Sequence, residues 1–74
     1  MKEETKFRFR CACKVIIEYA DKPALNYAVN YAKAGISMVC SDEIRVQALY
    51  ILNNIQYWRG EDAKETREIL KSTK

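Results

Sequence analysis

The segment between Ser41 and Gly60 constrains this chain more than any other, because it is apolar on two sides. On a helical wheel at ~100° per residue, Ile44, Ala48, Ile51, Leu52, Ile55 and Trp58 form one wide zone. Val46, Tyr50 and Tyr57 lie opposite it, with Leu49 between the zones. Polar residues keep to two thin strips, Arg45 with Gln56 and Gln47 with Asn54. A helix apolar on both sides is either enclosed by its own domain or shared with a neighbour. Enclosure is hard here, because a single domain of 74 residues buries only about 60% of its unfolded surface. Each large side chain left in water forfeits ~1.5–3 kcal/mol of burial. The doubled pattern therefore predicts homo-oligomerisation through Val46, Tyr50 and Tyr57. The alternative packs Tyr50 and Tyr57 on the first helix with their hydroxyls in water.

Around that segment the spacing predicts an all-α, three- or four-helix bundle forming one domain over residues 1–74. Asp21-Lys22-Pro23 reads as an N-cap and first turn of a helix from about Lys22 to Ala34, with Gly35 placed as the left-handed residue that ends it. Within it the echo Asn26-Tyr27-Ala28, Asn30-Tyr31-Ala32 stacks the two tyrosines on one line. Asn26, Asn30 and Lys33 fall on another, a candidate polar contact. Ile36, Met38 and Val39 are too apolar for a free loop and are expected to cover the core. Ser41 is expected to cap the next helix, Asp42 to Arg59, with Asp42 and Glu43 in the first turn where the helix dipole favours anions. Gly60 stops that helix. Trp58 is expected to seal the end of the core, with Arg59 stacked on it or paired with an early carboxylate of the last helix. That helix runs from Glu61 to about Ser72, with Ala63, Thr66, Ile69 and Leu70 as its apolar edge.

Residues 6–19 satisfy two periods. Phe7, Phe9, Cys11, Cys13, Val15, Ile17 and Tyr19 alternate as a half-buried strand would, whereas Phe9, Cys13, Ile16 and Ala20 fall at helical spacing. A lone strand would need a second copy to pair with across a dimer, so a helix from about Lys6 to Ala20 is preferred.

The formal charge of +3 sits entirely in residues 1–14, where Lys2, Lys6, Arg8, Arg10 and Lys14 face Glu3 and Glu4. Interleaved with Phe7 and Phe9, the cations Lys6, Arg8, Arg10 and Lys14 make a nucleic-acid-binding accessory role the second reading. Ala34-Gly35-Ile36-Ser37 also resembles the turn of helix-turn-helix regulators, over those four residues. Tyr31 stands where such motifs place a small residue, and Ser41 where they place an apolar one. The alternating N-terminal segment followed by two helices resembles ribbon-helix-helix proteins, with a longer stretch between Gly35 and the next cap. Either likeness implies DNA binding.

Three cysteines, Cys11, Cys13 and Cys40, lack C-x-x-C spacing, and no histidine completes a zinc site, so no metal or cofactor is expected. Free thiols, the absence of a signal-peptide pattern and of any apolar run near ~20 residues point to the cytoplasm. Without histidine the usual general base is missing, and the pairs Asp42-Glu43 and Glu61-Asp62 open helices, where dipole complementarity accounts for them. No enzyme, small-molecule substrate or membrane role is expected. The sequence points instead to a small helical protein-interaction module, with a small inhibitor of another protein as a third reading.

Overall fold

The computed structural model describes residues 1–73. They form four α-helices: α1 (Glu3–Glu18), α2 (Asn26–Ile36), α3 (Ser41–Asn53) and α4 (Glu61–Thr73). A 3-10 turn, Pro23–Leu25, leads into α2, with Lys22 rather than Asp21 at its N-cap. No strand occurs among the described residues. The N-terminal segment follows its helical period, since the residues it buries are Phe9, Ala12, Cys13 and Ile16, one stripe along a helix. Phe7, which only the alternating pattern would bury, stands in water.

One core runs through the bundle. Phe9, Cys13 and Ile16 of α1 meet Ala28, Val29 and Ala32 of α2, Ile44, Ala48 and Ile51 of α3, and Ala63 and Leu70 of α4. Gly35 belongs to α2 and has no positive φ, contrary to the expected helix stop. Its role is steric: a Cβ there would lie 3.0 Å from both the Cys13 sulfur and the tip of the Phe9 ring. The missing side chain is what lets α1 approach.

The connection to α3 is held by α1. Lys6 Nζ donates to the Val39 carbonyl (2.8 Å) and Arg10 to the Met38 carbonyl (3.1 Å). Ile36 and Met38 pack on the core as expected, while Val39 is exposed. Cys40 takes the N-cap of α3 and Ser41 is its first residue, so Ser41 does not cap it.

The third helix stops at Asn53, short of the expected Arg59. Beyond it the backbone tightens: the Asn54 N–H donates to the Ile51 carbonyl (2.9 Å) and its side chain to the Tyr50 carbonyl (2.8 Å). Arg67 of α4 donates to the Trp58 carbonyl (2.8 Å), securing the bend. Turning here buries Ile55 and Trp58, whose ring meets Tyr19 at 5.5 Å between centroids, tilted by 55°. Trp58 thus seals the core, while Arg59 donates to the Gln56 carbonyl rather than pairing with a carboxylate. Gly60, at φ 114°, makes the last corner. That value lies in the left-handed region that disfavours any Cβ.

Candidate interaction face

The outer surface of the α2–α3 pair carries an aromatic ladder. Tyr31 of α2 and Tyr50 of α3 stack at 5.7 Å, tilted by 35°. One turn back along α2, Tyr27 shares a groove of about 300 Å³ with Asn54 and Tyr57. At the opposite end Val46 lines a shallow groove of about 360 Å³ with Met38, Asp42, Glu43 and Gln47. The four tyrosines are 75% (Tyr27), 38% (Tyr31), 47% (Tyr50) and 80% (Tyr57) exposed, and Val46 and Leu49 are also open to water. Beneath the rings, the buried Gln47 amide donates to the Tyr31 carbonyl at 2.8 Å. It is a clasp between helices and not part of a solvated strip.

The structure therefore brings Val46 and Tyr50 together on α3 and sets Tyr57 apart, in the bend that follows. The neighbour of Tyr50 is Tyr31 on α2, not α1. Asn26, Asn30 and Lys33 are exposed along the flank of α2 beside the tyrosine line. The sequence reading missed Tyr27 and Tyr31 as members of this face. Their signal was the four-residue echo, which aligned the two rings without showing that α3 lies beside them.

Among the four candidate nucleic-acid contacts, Lys6 and Arg10 are turned to the Val39 and Met38 carbonyls. Arg8 borders α4 beside Glu61, Glu65 and Glu68, and Lys14 is exposed. Lys6, Arg10 and Lys14 thus share one stripe of α1, two of them engaged by the connection to α3, while Arg8 stands on the other side among the carboxylates of α4.

Another cleft, about 360 Å³, lies behind Tyr57, lined by Tyr19, Trp58, Lys22, Arg59, Glu61 and Asp62 among others. Here the Tyr19 hydroxyl donates to the Asp62 carboxylate, and that bond, together with the carboxylate charge, raises the Tyr19 pKa. The cations and carboxylates of this cleft offset one another. The three thiols are scattered: Cys40 is exposed, Cys11 half-buried, and Cys13 lies in the core, where burial pushes its pKa up to about 12. A thiol so buried is a packing group, since the thiolate is the reactive form. No group of three or more potential metal ligands occurs among the described residues, nor does any described helix have the length and apolarity to cross a membrane. No protein-family model, curated protein or solved structure matches the chain.

Proposed function

We propose that this protein is a small non-enzymatic helical assembly module that associates with itself through the outer face of α2 and α3. The observation that carries the reading is the aromatic ladder Tyr57, Tyr27, Tyr31 and Tyr50, left in water by a fold that buries Phe9 and Trp58 and half-buries Tyr19 against Trp58, with Phe7 the one other exposed ring. Tyrosine suits such a surface because its ring gains from desolvation while its hydroxyl keeps a polar partner. The flanking Asn26, Asn30 and Lys33 supply the polar rim that interfaces of this kind carry. A second copy is the economical occupant, with inhibition of a different protein as the other use of the same face. The nucleic-acid reading has less support, since two of its four cations hold carbonyls within the fold.

Light scattering at micromolar concentration tests the proposal. The wild-type chain is expected to show more than one subunit and Tyr50→Glu to show one. A strictly monomeric mass, unchanged by Tyr50→Glu, removes the reading.

A further inference from the structure

The grooves at the two ends of the aromatic ladder are unlike each other. At one end Tyr57 projects as the most exposed large apolar side chain of the described residues. At the other, Met38 and Val46 line an open groove with Glu43 at its edge. Between them runs α2, about 16 Å long at ~1.5 Å per residue. A knob and a hollow separated along one straight face complement each other when a second copy is laid antiparallel on the first. Resting on the self-association reading, we propose that two copies pair about a two-fold axis through the Tyr31–Tyr50 stack, each inserting Tyr57 into the other's Met38–Val46 groove.

Area and charge both favour a second copy as the occupant. Taking ~200 Å² for a whole tyrosine side chain, the four rings leave on the order of 500 Å² in water, more than half of the ~800 Å² each partner gives to a standard interface. Val46, Leu49 and Met38 extend that surface along the same face. Glu43 makes no ion pair among the described residues, whereas its neighbour Asp42 is bound by Arg45 at 3.0 Å. Seating Tyr57 brings the partner's Arg59, two residues further on, toward Glu43. Of the carboxylates near Arg59, Asp62 already accepts the Tyr19 hydroxyl and Glu61 sits in the first turn of α4. A two-fold arrangement makes both contacts at once and closes at two subunits, whereas repeated head-to-tail insertion would grow without limit.

Complementation between two weakened variants tests the pairing. Tyr57→Ala deletes the knob and Val46→Glu spoils the groove; both positions are exposed, so neither change disturbs the core. Sedimentation equilibrium is expected to give a wild-type dimer, with each variant alone dissociating about tenfold or more readily, as for loss of an anchor residue. Mixed, with one variant isotopically labelled, they should form heterodimers by native mass spectrometry in preference to either homodimer, because one knob and one groove remain matched. Recovery on mixing supports the proposal. A wild-type dimer indifferent to Tyr57→Ala, or a mixture without heterodimer enrichment, overturns the pairing while leaving self-association standing. A mass that climbs past two subunits overturns the two-fold axis. A wild-type chain that stays monomeric overturns both readings.

Discussion

The two sides of α2 allocate side-chain size in opposite ways. Toward α1 it presents Ala28, Ala32 and Gly35, all buried; toward water and along α3 it presents Tyr27 and Tyr31. Small residues on the inner side let the backbones approach, so that Phe9 and Cys13 of α1 fill the remaining space with nothing to spare at Gly35. The outer side carries the largest side chains of the helix, where they add nothing to this core. A fold limited only by core volume would place them the other way round. The contrast teaches that the inner face is committed to the core, while the outer one keeps its largest rings exposed, as the proposed association requires.

The greatest expected effect lies inside. Phe9→Ala should destabilise the fold by about 3–5 kcal/mol, the usual range for deleting a fully buried ring. For a small domain that is a large part of the whole, readable as a collapse of the urea midpoint. Next comes Gly35→Ala. Helix propensity favours alanine by ~0.5–1 kcal/mol, but the new Cβ meets two core side chains at 3.0 Å. Overpacking typically costs 1–3 kcal/mol, so a net loss of about 1 kcal/mol is expected. In a Cys13→Ala background the loss should shrink, and a double-mutant cycle showing no coupling would refute the steric account.

Alkaline pH probes the same side. Because the folded Cys13 pKa stands at about 12, above the ordinary 9.0, its contribution to stability is complete below pH 9 and declines as pH rises toward 12. Thermal melts should therefore show a loss across that window that Cys13→Ala reduces. In the native state at pH 8, a thiol reagent should modify Cys40 quickly and Cys13 only upon unfolding. The smallest effect belongs to the outer side. Tyr27→Ala, measured below the concentration of assembly, should shift stability by less than about 0.5 kcal/mol. A loss comparable to that of Phe9→Ala would erase the contrast between the two faces.

Much of the architecture is legible in the residues, and the places where it is not have physical causes. The helical class, the start of α4 and the inner stripe of α3 follow from periodicity and from Glu61-Asp62 placed to meet the helix dipole. The helical identity of α1 needed a tie-breaker, because its alternation is genuine and only packing against α2 and α4 decides which period is buried. The end of α3 was invisible. Nothing in Asn53 to Tyr57 is a strong breaker, and the bend depends on Arg67 reaching back to the Trp58 carbonyl and on the burial of Ile55 and Trp58. The sequence predicts a stop at Gly35 because a glycine after an apolar helix usually is one. Its actual role, allowing close approach to α1, can be seen only once Phe9 and Cys13 stand opposite. Of the candidate face, Val46 and Tyr50 were legible from the doubled wheel, and Tyr57 was reached through a helix that does not extend so far. Tyr31 entered only through the pairing of α2 with α3.

The bond from Gln47 to the Tyr31 carbonyl bears on how the outer face works. It joins α3 to the backbone of Tyr31, the residue whose ring meets Tyr50, and fixes the rotation of one helix about the other. In the association proposed above, a surface set in advance would lose little freedom on docking, so most of what desolvating its rings yields would be retained as affinity. Gln47 therefore acts as the keel of the aromatic deck, and preorganisation is the property that deck owes to a single amide.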